Sequence, residues 1–407
     1  MSSECPHNSI LSTQDSDPHP YFEALRSQGE VVWDEGMKGW VALSYESCKF
    51  VLVNEPLFRH PYADADATMI EVKGGRRNIV VLQGVEHERM RRFVIQLFTP
   101  KNIEMYVEHH VLPITDFLID RFAQRGKAEL VAEFADQLPC RVFMSLFGMD
   151  ARDDEFLAHV LSLHDDIMLW AGGRHFLGEE ATQKALAASH ELNKILLPYI
   201  RNRREQPGDD LMTRLWAEAP GILDDVTEED MLATCRELYL GGSDTTVHAL
   251  SNALYVLLTD ADVAAQVKAD RERALPVFIE EVMRVWGSVQ YRYRVANQDI
   301  ELGGVQIRKD QVVFTLNAAA NRDPQRYGCP AQIDLQREKP RDHLAFNVGP
   351  RTCAGLSLAR AELRVALNRV LDRLPELQLD PEAAPPLFSG MFTRSFKPLH
   401  VLFAPAG

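Results

Sequence analysis

The chain reads as a mainly α protein with a small β region, and three observations carry that reading. The segment from Met231 to Leu258 is apolar around most of a helical circumference, as expected of a helix that crosses the centre of a fold and is buried on all sides. Helical periodicity recurs over most of the chain, whereas strand-like runs are short and confined to a few places. No Gly/Ser/Pro-rich linker, low-complexity tract or internal repeat interrupts the 407 residues. Residues 1–407 are therefore expected to form a single domain, with residues 1–17 a flexible N-terminal segment.

In chain order, a helix is expected over Tyr21–Arg26, followed by short strands near Val31–Trp33 and Trp40–Leu43. Glu86 to Gln96 has the pattern of a basic amphipathic helix. Residues 103–147 predict two or three helices, and residues 152–204 several more. Thr227-Glu228-Glu229-Asp230 resembles a capping box with Asp in the usual Glu place, and it opens the long apolar helix. Another helix is expected from about Leu275 to Val285. Strand residues between Glu301 and Phe314, broken by Gly303-Gly304, predict a hairpin. Residues 321–345 carry no periodicity. A last helix starts near Leu356, repeats apolar residues through Leu374 and stops at Pro375. Short strand-like runs close the chain.

Composition narrows the class. Hydrophobic content of 46% and charged content of 25% are those of a soluble globular protein. The net charge of −15 argues against a nucleic-acid partner. The N-terminal stretch has no basic and apolar pattern of a signal peptide, and no run of 18 apolar residues marks a membrane anchor. Six scattered cysteines without a CxxC pair make zinc and iron–sulfur sites poor expectations and fit a reducing cytoplasm.

The chemistry-bearing motifs are few. The most informative is Phe346-x-x-Gly349-x-Arg351-x-Cys353-x-Gly355, a cysteine in a glycine-flanked loop just before a helix. Backbone N–H groups at that helix start favour negative charge on sulfur, and the glycines let the backbone approach a flat cofactor without a Cβ in the way. A thiolate held there can ligate haem iron. The central helix contains Leu240-Gly241-Gly242-Ser243-Asp244-Thr245-Thr246. Two glycines inside a helix cost about 1 kcal/mol each against Ala, and close approach to a flat ligand would offset that. Glu281-Val282-Met283-Arg284 places opposite charges at i,i+3, a pair that alone means little because most such pairs are solvated.

Taken together, and in this order along the chain, these motifs resemble those of the cytochrome P-450 monooxygenases, from about residue 18 to the end. The resemblance implies the fold of that family, a single triangular haem domain, soluble and of the bacterial type. It implies haem b as cofactor and O2 as co-substrate, with Cys353 as the proximal iron ligand. Phe346, Gly349 and Gly355 shape the cysteine loop, and Gly241 and Gly242 let the central helix lie over the haem. Asp244 and Thr245 become the acid and alcohol that handle protons and oxygen. His87 and Arg91 match the family's HxxxR, and with Arg294 and Arg351 they are expected to hold the haem propionates. Arg292 competes with Arg294 for that task, and Arg294 is preferred because Asp299 follows it at the family's usual distance. Glu281, Arg284 and an arginine of the irregular segment, Arg337, form a structural triad behind the cysteine loop. The proline common after ExxR is absent from Val285-Trp286-Gly287-Ser288-Val289-Gln290-Tyr291, which leaves the course of that strand open.

The resemblance further implies insertion of one oxygen atom into a hydrophobic small molecule of terpenoid, steroid or aromatic type. Met168, Leu240, Gln290, Phe392 and Thr393 are expected on the pocket wall. Arg174 or Arg292 could instead anchor a carboxylate, although an outward, solvated side chain is the commoner fate of either. Reducing equivalents from NAD(P)H would arrive through a ferredoxin reductase and a ferredoxin, with Arg89, Arg92 and Arg360 as candidate contacts. A peroxide-dependent oxygenase and a non-catalytic haem-thiolate binding or sensor protein are the alternatives. Asp244-Thr245 speaks against both, and the lack of an output module speaks against a sensor.

Overall fold

The computed structural model describes residues 9–173 and 177–405. Its centre is one helix of 32 residues, Glu228–Thr259. The predicted cap starts it: the Asp230 amide donates to Thr227 Oγ1 at 3.2 Å, and the Thr227 amide donates to Asp230 Oδ2 at 2.9 Å. Two of the helix's unpaired N–H ends are satisfied in this way. The helices Leu138–Leu146, Glu179–Glu205 and Leu356–Arg373 and the strand Arg394–Lys397 all pack against it. Its burial is not complete: Gly241 is exposed and Gly242 half-buried although both lie mid-helix.

The two glycines meet different neighbours. A Cβ on Gly242 would sit 2.3 Å from the ring of Phe143, so this residue is small because a neighbouring helix presses on it. A Cβ on Gly241 would meet only Glu237 Oε1, at 3.6 Å. Of the pair, only Gly241 borders open space.

The β region is a five-stranded sheet in the order Val31–Asp34, Gly39–Ala42, Val312–Thr315, Arg292–Ala296, Phe58–Arg59, joined by smaller sheets. Ile300–Leu302 and Val305–Ile307 form a hairpin whose turn residues, Gly303 and Gly304, have φ of 57° and 80°. Both backbones lie in the left-handed region, where glycine is favoured. The strand Val312–Thr315 leaves this hairpin and joins the main sheet. Between 103 and 147 two short π-helical stretches, Val107–Val111 and Val131–Ala135, interrupt the α-helices. Residues 152–204 hold two long helices, Asp154–Gly173 and Glu179–Glu205.

The expectation that residues 1–17 are loose needs correction for the described part. Ser9 Oγ donates to Asp34 at 2.7 Å, and the Ile10 amide donates to the same carboxylate at 3.0 Å. Buried Arg394 donates to the carbonyls of Thr13 and Ser16, both at 2.9 Å. The polar composition of this stretch supplies anchors to the sheet and the C-terminal hairpin.

The course of the chain after Arg284 is also defined without the missing proline. The Gln290 amide donates to Phe392 O at 2.9 Å, the Arg394 amide donates to Ser288 O at 2.9 Å, and Val289 bridges Thr393. The C-terminal hairpin thus fixes the entry into the strand Arg292–Ala296.

The Gly242 contact yields a test. Gly242→Ala is expected to lower stability by about 1–3 kcal/mol in spite of alanine's better helix propensity. With Phe143→Leu added, the loss should be smaller than the sum of the two single losses in urea unfolding. Strict additivity would show that no clash exists.

Candidate active site

Cys353 is held by its own loop. Its amide donates to Phe346 O at 2.8 Å, closing the turn. Asn347 and Gly349 take φ of 61° and 75°, and Asn347 Nδ2 donates to Arg351 O at 3.0 Å. Gly349 is needed on two counts, since a Cβ there would also lie 3.0 Å from the Val53 backbone. A Cβ on Gly355 would meet nothing within 4 Å. The cysteine side chain has accessible surface, yet desolvation is the strongest influence on its thiol and pushes the pKa up. Both hold if the sulfur faces an internal space walled by protein. The Gly355 amide, Arg292, Arg91 and Arg360 pull the other way and favour the thiolate.

Behind the loop lies a buried ionic network. Glu281 accepts from Arg284 Nε and Nη2, each at 2.8 Å, from Arg337 Nε at 2.7 Å and from the Asp334 amide at 3.0 Å. Arg284 donates onward to the carbonyls of Asn321, Pro330 and Gln332. The neighbouring Glu280 grips the cysteine loop from both flanks. It contacts His343 Nε2 at 3.0 Å before the loop and Arg360 Nε at 2.6 Å after it. Arg360 also lies over the Phe346 ring at 4.6 Å. Sequence reasoning passed over Glu280; the doubled acid at 280–281 was the available sign.

Asp244 and Thr245 sit on the central helix. Thr245 Oγ1 donates to Gly241 O at 2.9 Å, one turn back. Asp244 Oδ1 lies 3.4 Å from His248 Nε2, and His248 Nδ1 is 2.7 Å from Ser395 Oγ. Burial raises the Asp244 pKa, but His248, His164 and a hydrogen bond from Thr393 outweigh it and leave the carboxyl below its usual range. Further out, Asp136 is pushed up to about 6 by burial, against the charge of His248 and Lys397. His248, His164 and Asp136 were not foreseen. Asp244 and His248 at i,i+4 was a legible signal; the other two come from segments distant in the chain.

A third feature is an excess of cations around one spot. His60 is enclosed, and its pKa is driven down by burial and then by Arg351, Arg294, His87 and Arg292. His87 is 3% exposed and lowered to about 4, so it is neutral at pH 7. Arg351 Nε pairs with Glu55 at 2.5 Å, and Arg91 Nη1 donates to Thr352 O at 2.6 Å. Arg294 is 2% exposed, and its Nε and Nη2 have no hydrogen-bond partner. Buried guanidinium donors left unpaired are costly unless an anion meets them. Two carboxylates brought by a ligand would satisfy this cluster.

These residues fit a haem. Cys353 offers a thiol with accessible surface, a Cβ at Gly241 or Gly355 would clash with nothing, and Arg294 holds unpaired donors, which are the features a haem would use. Among the described residues no three or more His, Cys, Asp or Glu converge to hold a bare ion, so Cys353 suits a metal that brings its other ligands with it.

The remaining predicted residues divide. Phe392, Thr393 and Met168 are partly exposed, whereas Leu240 and Gln290 are each 1% exposed and contribute packing behind the wall rather than its accessible face. Gln290 Nε2 instead donates to Gly287 O at 2.7 Å. Arg174 lies outside the described residues. Of the basic residues considered for a redox partner, Arg89 pairs with Asp224 and Arg360 with Glu280, while Arg92 is exposed. No described helix is long and apolar enough to cross a membrane.

Comparison with known proteins agrees with this geometry. The family model for cytochrome P-450 matches residues 9–403. The chain is 32% identical over 369 residues to the mycinamicin IV hydroxylase/epoxidase of Micromonospora griseorubida, covering 88% of each chain. It is 29% identical over 419 residues to the pulcherriminic acid synthase of Bacillus subtilis (strain 168), covering 97% of each. Among solved structures it is similar to CalO2, with a TM-score of 0.84 at 26% identity over 96% of this chain and 97% of that one. It is likewise similar to HmtT, involved in himastatin biosynthesis, with a TM-score of 0.83 at 27% identity over 97% and 100% of the two chains.

The Glu281 network has a measurable signature. Removing one partner of a fully buried pair leaves the others uncompensated, so Glu281→Gln is expected to cost about 3–5 kcal/mol in urea unfolding. The folded pKa of Glu281 is lowered below 4.5, so its contribution is present above that pH and is lost as pH falls through the folded value. The stability gap between wild type and Glu281→Gln should therefore be constant near pH 7 and close in acid. A gap that persisted unchanged in acid would show that the carboxylate charge is not what matters.

Proposed function

The chain belongs to the cytochrome P-450 family, and we propose that it inserts one oxygen atom of O2 into a hydrophobic small molecule with electrons from a separate ferredoxin and its NAD(P)H-dependent reductase. The family consists of haem-thiolate monooxygenases that use O2, a small-molecule substrate and redox partners. The observation that carries the reading is a loop cysteine whose thiolate is favoured by Arg91, Arg292 and Arg360, in a chain whose central helix carries an acid–alcohol pair beside Gly241.

When bound, haem supplies the activation and transfer of oxygen. The rest of the task falls to side chains. Cys353 would hold the iron through its sulfur, with the thiolate favoured by the Gly355 amide and by Arg91, Arg292 and Arg360. Arg294, His87, Arg91 and Arg351 would take the propionates, and the unpaired Arg294 donors are the support for this. The reaction consumes two protons. A carboxylate held below its usual pKa stores none at neutral pH, so Asp244 would act as a shuttle. It would accept a proton at Oδ1 from His248 Nε2 and pass it inward towards Thr245 Oγ1, whose own proton is engaged by Gly241 O. Asp136, with a pKa of about 6 beside His248, would be the outer donor. The partly exposed Phe392 and Met168 supply apolar wall for the substrate. Relatives in the family include a hydroxylase/epoxidase by name, which supports hydroxylation as the outcome.

Two measurements test these assignments. The reduced, carbon-monoxide-bound protein should show the strongly red-shifted Soret band of thiolate ligation, and Cys353→Ser should abolish it. A well-folded wild type with a band at the shorter wavelength of imidazole or neutral-thiol ligation would overturn the reading. Thr245→Ala should lower product formed per O2 consumed, and Asp244→Asn should slow turnover by about 10²–10⁴-fold with a larger solvent isotope effect. Unchanged coupling and isotope effect would remove the relay.

A further inference from the structure

Arg292 is a cation with no acid to match it. It shares a strand face with Arg294, two residues on, because side chains alternate along a strand. The two guanidinium groups therefore leave the backbone about 6.6 Å apart on the same side. Arg294 enters the crowd around His60 and His87, next to Arg351 and Glu55. Arg292 diverges towards the C-terminal hairpin, where its guanidinium lies 5.5 Å from the centre of the Phe392 ring. The favourable charges that reach it are those of Cys353 and Tyr62. Its carbonyl accepts from Thr315 Oγ1 at 3.5 Å, but among the described residues its guanidinium has no hydrogen bond and no carboxylate partner. Its side chain is only partly exposed, and desolvation is the strongest influence on it.

An outward, solvated arginine would show none of this. The cation lies near enough to Cys353 for each to favour the charge of the other, is steadied by an aromatic face, and keeps the planar fork of its donors free. That fork matches a carboxylate in a bidentate manner. The propionate cluster does not require it, since Arg294 already offers two unpaired nitrogens there. We propose, on the footing of the monooxygenase reading above, that Arg292 with Phe392 forms an anchor for the carboxylate of the substrate, so that this enzyme oxidises a hydrophobic carboxylic acid. Pairing the acid with Arg292 leaves the apolar body of the molecule against the remaining wall and fixes which of its carbons meets the reacting centre. No bond changes at the anchor; it positions the substrate and selects it.

The test uses the holoenzyme and probes whose one end is fixed. ω-(Imidazol-1-yl)alkanoic acids bind through the imidazole, with a shift of the Soret band, and leave the carboxylate to reach outward by a distance set by chain length. A series from six to twelve carbons scans that reach, beside the corresponding ω-(imidazol-1-yl)alkanols as uncharged controls. At one or more lengths the acid should bind wild type at least about tenfold more tightly than the alcohol, as a charge-assisted bidentate pair permits. In Arg292→Gln the ratio should fall to near one, and Arg292→Lys should retain part of it. Equal binding of acids and alcohols at every length, or a preference that survives in Arg292→Gln, overturns the proposal. A Gln variant that folds normally by circular dichroism but takes up less haem overturns it too, because Arg292 would then serve the propionates. The carbon-monoxide spectrum of the same preparation reports separately on Cys353, so a protein with the thiolate band but no preference for acids refutes the anchor alone.

Discussion

The site rests on a buried ionic knot. From residue 321 to 348 the chain has neither helix nor strand, a length that ordinarily invites disorder. It is ordered because Glu281, Arg284 and Arg337 give its backbone carbonyls and amides defined partners inside the protein. Each ion in the knot is desolvated, and each is compensated several times over, which is the condition under which such burial is tolerable. Glu280 extends the knot by holding His343 and Arg360, which flank the cysteine loop in sequence. The position of a sulfur atom is thereby coupled to two adjacent acids on one helix. Regular secondary structure could not have placed Cys353 as closely, since its own loop has only the Phe346 turn and the Asn347 contact to define it.

The central helix answers from the other side. Its glycine pair divides the work: Gly242 admits the Phe143 ring, and Gly241 leaves the middle turn open. With its alcohol bonded one turn back, Thr245 relieves Gly241 O, a carbonyl at the edge of that opening. The strand Arg394–Lys397 is clamped to the same helix by Asn252, which donates to Arg394 O at 3.2 Å and accepts from the Phe396 amide at 3.0 Å. That clamp sets Thr393 over Asp244 and Phe392 over the strand carrying Arg292. Acid, alcohol and pocket wall thus share one rigid origin.

Most of the architecture could be read from residues alone, because its signals are local. The cap at Thr227, the Gly303-Gly304 turn and the periodicity of the loop helix each depend on neighbours a few positions away. What escaped depends on distant segments. His164 and Asp136 bear on Asp244 and His248 from another helix and from a turn, respectively. Residues 9–16 are held by Asp34 and Arg394, 18 or more positions away, and no pattern within the stretch foretells that. Leu240 and Gln290 were assigned to the wall by their place in the chain, yet packing turned them inward.

The electrostatics of the interior oppose those of the chain as a whole. A protein of net charge −15 gathers Arg91, Arg292, Arg294 and Arg351 around one space and gives them Glu55 as nearby acid. Such an assembly is unfavourable in isolation, and the pKa values of His60 and His87, lowered first by burial, are lowered further by Arg351 and its neighbours. It becomes favourable when anions enter. A thiolate at Cys353 and two propionates would supply three negative charges, and Glu55 a fourth. On that count four arginines would be balanced without a substrate. The count treats charge as if it had no position, however. Arg292 is set towards Phe392, at the edge of the cluster, and a thiolate at Cys353 that held iron would be committed to it. Charge donated to a metal is no longer free to compensate a guanidinium in full. The local deficit therefore falls at Arg292, on the pocket side, and an acidic substrate would remove it.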